Sequence, residues 1–114
     1  MNSIGVLILT GLADGDKHGY ALTKDVDAFA EVKLAPGTLY EALQPLGRQA
    51  LIEPLEPVER RLAYRLTAAG ASALQDQLDG QRRVTETGLR RLAAFPAAAA
   101  NAGALAATAT ARVA

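Results

Sequence analysis

Three short segments fix the order in which this chain can fold: His18-Gly19-Tyr20, then Pro36-Gly37-Thr38-Leu39-Tyr40, then Arg65-Leu66-Thr67 with Gly70 behind it. Each has the composition of a helix start. Ahead of them, residues 3–13 read as a first helix, with Ser3 as N-cap and Ile4, Leu7, Ile8 and Leu12 recurring at helical spacing. Gly5 and Gly11 each weaken that helix by roughly 1 kcal/mol relative to Ala, so packing has to hold it. Asp14-Gly15-Asp16-Lys17 has turn composition. A second helix is predicted over about 19–30, its buried stripe formed by Ala21, Leu22, Val26 and Phe29.

Pro36 suits the first turn of a third helix, where its fixed φ is helical and its missing N–H is not needed. Leu39, Leu43 and Leu46 form the apolar face, and Thr38, Glu41, Gln44 and Arg48 point elsewhere. Pro45 predicts a bend or early fraying, because an interior proline removes a backbone hydrogen bond. Residues 51–55 and 61–66 read as two strands around Glu56-Pro57-Val58-Glu59, since Leu62, Tyr64 and Leu66 alternate with Arg61, Ala63 and Arg65. Pro54 and Pro57 suit a two-stranded ribbon with exposed edges. Thr67 then caps a long helix to about residue 92, with Leu74, Leu78, Val84, Thr85, Leu89 and Leu92 approximating one face.

Helix, helix, helix, hairpin, helix is the order of a winged helix-turn-helix, a shape that places one helix in the major groove of DNA. The expected fold is therefore mainly α: three helices and a two-stranded β wing, followed by a long C-terminal dimerisation helix. The corresponding divisions are 1–67, 68–95 and an Ala-rich tail, 96–114.

Composition narrows the function. A chain of 114 residues is one domain with a modest core, because Ala supplies much of its apolar half and there is no Trp. The long helix cannot bury its face on so small a domain, so its far end is expected to pack on a second copy. With no Cys, disulfides and thiolate metal sites are excluded. A signal-peptide pattern is missing from the N-terminus, and a reducing, cytoplasmic setting is expected. Ala is barely hydrophobic, and Pro96, Asn101, Gly103 and Arg112 interrupt the tail, so no membrane span is expected there and a frayed tail is. No internal repeat is visible. Net charge is zero, and residues 1–67 hold seven Lys/Arg against nine Asp/Glu, so DNA binding must rest on where the charges sit.

Thr38 and Tyr40 occupy the first turn of the third helix, where groups meet bases and phosphates. The Tyr40 hydroxyl either donates to a phosphate or the ring packs on the core. Gln44 either reads adenine or is simply solvated. Arg60 and Arg61 either contact phosphate and the minor groove or are balanced by Glu56 and Glu59. Arg65 can share a face with Arg61. Tyr20 stands where a helix N-terminus crosses the backbone. His18, the only histidine, has no nucleophile or metal-ligand partner in view and reads as a cap or turn residue. Arg82-Arg83 and Arg90-Arg91 read as a solvated face or ion pairs with Asp76, Asp79 and Glu86. Neither a paired nucleophile and base, nor a Gly-rich phosphate loop, nor a metal cluster is found, so no enzyme activity, cofactor or metal is expected.

These motifs, in this order over residues 4–89, resemble the PadR family of bacterial transcriptional regulators. The resemblance implies a homodimeric repressor on an inverted-repeat, double-stranded DNA operator. It favours a phosphate contact for Tyr40 and a DNA face of Tyr20, Thr38, Tyr40, Gln44, Arg60 and Arg61. It implies an interface in which the C-terminal helix meets the first helix and its counterpart, taking in Ile4, Ile8, Leu74, Leu78, Val84, Leu89 and Leu92. It also implies a small hydrophobic or aromatic ligand that releases the operator, lined by residues such as Leu74, Leu78 and Leu89. The chain departs from the family where Ala50 replaces a common Gly, and where Val58, Glu59 and Leu62 replace Gly or basic residues of the wing. The alternative is a small-molecule sensor or protein-interaction module on a winged-helix scaffold with weak DNA binding.

Overall fold

A computed structural model describes residues 1–96, and the expectation of a frayed tail lies outside them. The described residues fall into two compact units, one ending at Gln77 and one beginning at Leu78. The first takes in the opening turns of the long helix as well as the expected 1–67 domain.

Helix α1 (Ser3–Leu12) is capped by Asn2 rather than Ser3: the Gly5 N–H donates to Asn2 Oδ1 at 2.8 Å. Near its other end Lys17 Nζ donates to the Gly11 carbonyl and to Asp14, and lies 3.7 Å from Asp25 Oδ2. That contact holds the Asp14 carboxyl below the usual carboxylate range. Lys17, expected in a turn, opens a short strand β1 (Lys17–His18) that sequence reading missed. Two residues are too few to show an alternation.

Helix α2 (Gly19–Ala30) starts at His18, whose Nδ1 accepts from the Ala21 N–H at 3.3 Å, so the histidine is a cap. Leu22 and Val26 are fully buried, but Phe29 is 45% exposed and leaves the expected stripe. Helix α3 (Pro36–Arg48) runs through Pro45 without the expected early end. The missing N–H forfeits a single bond, to the carbonyl of exposed Glu41, which water can satisfy.

The end of α3 accounts for one departure. The Leu51 N–H donates to the Leu46 carbonyl and the Ala50 N–H to the Gly47 carbonyl, both at 3.0 Å, a Schellman closure with Ala50 in the left-handed position at φ 58°. A Cβ there costs about 1 kcal/mol that Gly avoids, less the greater freedom Gly has when unfolded. Ala50→Gly is expected to raise stability by about 0.5 kcal/mol. An unchanged or lower urea midpoint would count against this strain.

Strands β2 (Ile52–Pro54) and β3 (Ala63–Leu66) pair antiparallel, Ile52 opposite Leu66 and Pro54 opposite Tyr64. β1 pairs on the other side of β3, giving a three-stranded sheet in the order β1-β3-β2 rather than a two-stranded ribbon. Pro54 thus sits on an edge strand, where no ladder donor is needed. The hairpin turns two residues later than expected. Val58 and Arg61 exchange both backbone hydrogen bonds, at 3.0 and 2.9 Å, around Glu59 (φ 52°) and Arg60 (φ 67°). Positive φ at both central residues is the type I′ pattern.

Helix α4 (Ala68–Ala93) begins as Thr67 predicts. The Gly70 N–H donates to Thr67 Oγ1 at 2.9 Å, while that hydroxyl donates to the Ala50 carbonyl at 2.7 Å. One side chain therefore caps α4 and fastens it to the end of α3.

The core joins α1 (Val6, Ile8, Leu9, Leu12), α2 (Leu22, Val26), α3 (Leu39, Leu43, Leu46), Ile52, Tyr64 and Leu74. Ile8 and Leu74, expected at a subunit interface, are 0% and 6% exposed within this core. Neither offers surface to another chain, and Leu74 drops out of the expected ligand lining for the same reason. In the second unit Leu78, Leu89 and Leu92 are exposed and recur at helical spacing, with Thr85 between them. Val84, 73% exposed, falls off that stripe, since six residues from Leu78 is not a helical return.

Candidate nucleic-acid interface

The segments that looked unrelated along the chain meet on one face. A shallow groove is lined by His18, Gly19, Tyr20, Tyr40, Arg60, Arg61 and Leu62, from the start of α2, the first turn of α3 and the hairpin tip. Both tyrosines are exposed, Tyr20 at 70% and Tyr40 at 53%. Tyr40 therefore does not spend its ring on the core. Its hydroxyl lies within 3.8 Å of the place a side chain on Gly19 would begin. Both phenols thus stand at the start of α2, where backbone N–H groups and the helix dipole favour an anion. Lys24, one turn along from Tyr20, places its ammonium 5.4 Å from the Tyr20 ring centroid and adds a cation that sequence reading passed over.

The hairpin separates its arginines by role. Arg65 Nη2 lies 3.3 Å from Asp16 Oδ2 and Nη1 lies 3.7 Å from Glu53 Oε1, so this guanidinium is committed within the fold. Asp16 first, and then Glu53, hold its pKa above the ordinary arginine value. Arg60 and Arg61, by contrast, are exposed and form no ion pair with Glu56 or Glu59 among the described residues. Their charge is available to a phosphate. Tyr64, 8% exposed, has its phenol pKa raised by burial and then by Tyr40, so it stays neutral.

The remaining two expected contacts lie apart from this groove. Thr38 is half-buried and lines a separate cleft with Met1, Asn2, Ile4 and Ala42. Gln44 is exposed and borders the hairpin beside Gly47, Arg48 and Leu62. Opposite the buried Leu39, Leu43 and Leu46, the solvent face of α3 is drawn by Gly37, Glu41, Gln44 and Arg48, all exposed. The spacing is i, i+4, i+7, i+11, a single helical row.

A helix presenting an open polar row, flanked by a hairpin with uncommitted arginines and a helix N-terminus, is the arrangement of a DNA-reading winged helix. The family model described as the transcriptional regulator PadR-like family matches residues 8–76, more than half of the chain. The chain belongs to the PadR-like family of transcriptional regulators.

Solved structures carry the same fold. A PadR family transcription regulator from Clostridium difficile is 28% identical, with a TM-score of 0.69 over 75% of this chain and 94% of that one. The complex structure of RosR-S4 is 25% identical, with a TM-score of 0.64 over 92% of each chain; RosR is a protein of H. salinarum. A curated relative, an uncharacterized 37.1 kDa protein in transposon TN4556 of Streptomyces fradiae, is 36% identical over 84 residues. Those residues are 74% of this chain, but the chain spans only 24% of that relative's length. The family is one of transcriptional regulators. Among the described residues no helix is long and apolar enough to cross a membrane, and no group of His, Asp and Glu is placed to hold a metal.

Proposed function

We propose that this chain is one protomer of a cytoplasmic, homodimeric repressor that binds an inverted-repeat operator and is released by a small hydrophobic or aromatic ligand. The observation that carries the DNA contact is the convergence of Tyr20, Tyr40, Arg60 and Arg61 on one groove, with both guanidinia uncommitted. Tyr20 and Tyr40 donate to phosphates, Arg60 and Arg61 hold the backbone or minor groove beside the hairpin, and Gln44 reads a base edge. Thr38, on the first turn of α3, contributes a hydroxyl at the margin of this face. The second copy is held through Leu78, Leu89 and Leu92, with Ile4 at the edge of α1. These leucines are exposed in the single chain, and such a stripe is costly to leave in water.

The test is fluorescence anisotropy with DNA from upstream of the gene against scrambled DNA, at two salt concentrations. The expected result is selective binding that weakens by several powers of ten per decade of salt. Tyr40→Phe is expected to weaken binding to all sequences alike, by about threefold to tenfold, because a phosphate contact carries no sequence information. Loss confined to one base position would reassign Tyr40. Replacing Arg60 and Arg61 together by Ala should lower the salt slope by about two. A second reading is favoured by the carboxylates Glu41 and Glu59 on this surface: a sensor or interaction module with weak DNA binding. Binding that is weak, unselective and flat with salt would establish it.

A further inference from the structure

The open row of α3 holds a residue that a phosphate-binding surface should not carry. Glu41 is exposed and lies one helical turn from Gly37 and two from Arg48, on the side away from Leu39, Leu43 and Leu46. Its carboxylate makes no hydrogen bond or ion pair among the described residues. It is therefore not spent on holding the fold. It borders the cleft of Thr38 on one flank of the row, not the groove on the other flank that gathers Tyr20, Tyr40, Arg60 and Arg61. A free carboxylate facing DNA repels the backbone and lowers affinity for every sequence unless a base donor meets it.

In the major groove such a donor exists. The cytosine N4 amino group is an N–H donor that Asp and Glu accept; guanine and thymine offer none there, and the adenine N6 donor stands beside the N7 acceptor, which repels a carboxylate. Gln44 and Arg48 continue the same row and present a mixed amide and a pure donor. The row thus runs acceptor, mixed, donor along one helix.

We propose that Glu41 is a specificity-determining residue that accepts a hydrogen bond from a cytosine N4 amino group in each half-site. It gives up general affinity for discrimination. This inference rests on the DNA-binding reading above and deepens it.

The test is selection from a randomised duplex DNA library by the full chain, by Glu41→Gln and by Glu41→Ala, followed by affinities for the selected and an unrelated duplex. The wild-type chain should enrich one cytosine per half-site. Glu41→Gln should shift that position toward adenine, which an amide reads in both directions. Glu41→Ala should accept all four bases there, bind the unrelated duplex more tightly, and lose about tenfold in the ratio of selected to unrelated affinity. Identical base preferences in all three proteins, with a uniform rise in affinity for the two variants, would overturn the proposal and leave Glu41 a repulsive charge only. Enrichment of no sequence by the wild-type chain would instead overturn the DNA-binding reading, and this inference with it.

Discussion

Replacing Gly70 by Ala is expected to destabilise the fold by about 3 kcal/mol, the upper end of what overpacking usually costs. The reason lies in what a Cβ would meet. Built on Gly70, it would stand 2.0 Å from the Leu51 carbonyl oxygen and 2.9 Å from its carbon, with the Leu66 Cδ1 at 2.7 Å. The first two are backbone atoms, and that backbone is pinned. The Leu51 carbonyl accepts from the Thr67 N–H at 3.1 Å, and the neighbouring Ala50 carbonyl accepts from the Thr67 hydroxyl. Relief would require α4 to lift off the end of α3, breaking those bonds and opening the core at Leu74. Gly11 gives the contrast: its nearest obstacle, at 2.6 Å, is the Leu22 Cδ1. The end of a flexible side chain can turn aside at smaller cost. For a domain whose total stability is of order 5–10 kcal/mol, the loss at Gly70 is a large share. Urea unfolding should show a lower midpoint at unchanged slope. A midpoint that does not move would mean that α4 does not cross the Leu51 carbonyl as described.

Gly70 shows how far the sequence could be read. The segment Arg65-Leu66-Thr67 with Gly70 stands out along the chain, and Thr67 as a helix cap follows from composition alone. That Gly70 must lack a side chain does not follow, because the obstacle is nineteen residues away in sequence, at Leu51. The same limit applies elsewhere. Leucines at helical spacing show that Ile8 and Leu74 are buried but not by what, and both turn out to lie in their own chain's core rather than between chains. Alternation over residues 61–66 of the sequence leaves Arg61 and Arg65 as equals. Only the pairing of Arg65 with Asp16, forty-nine residues earlier, shows that one is committed and the other free. The short β1 carries no pattern at all; its pairing with β3 gives the strand its existence. Local chemistry read well wherever the partner was near: His18 capping α2, Pro36 opening α3, and Leu39, Leu43 and Leu46 turning inward. The groove itself was legible as residues and not as a place, since Tyr20, Tyr40 and Arg60 are brought together by the packing of three elements.

Leu89→Asp is expected to convert the proposed dimer to a monomer and to weaken operator binding by at least about a hundredfold. Leu89 is 58% exposed in the single chain, so a carboxylate there meets water and leaves the fold of the protomer intact. In an apolar seam between two copies the same carboxylate would be buried without a partner, a cost that dissociation avoids. The loss in affinity follows because a dimer binds its second half-site as an intramolecular event, whereas a monomer must bind each separately. The salt dependence should change with it: a monomer neutralises half the phosphates, so the slope should fall to about half. Val84→Asp supplies the control. It adds the same charge on the same helix but off the stripe of Leu78, Thr85, Leu89 and Leu92, and should leave both mass and affinity unchanged. Sedimentation velocity reads the mass, and anisotropy on the same samples reads the affinity. A dimer that survives Leu89→Asp would remove the leucine stripe from the interface. Dissociation by both substitutions would place the interface on a broader face than the stripe defines.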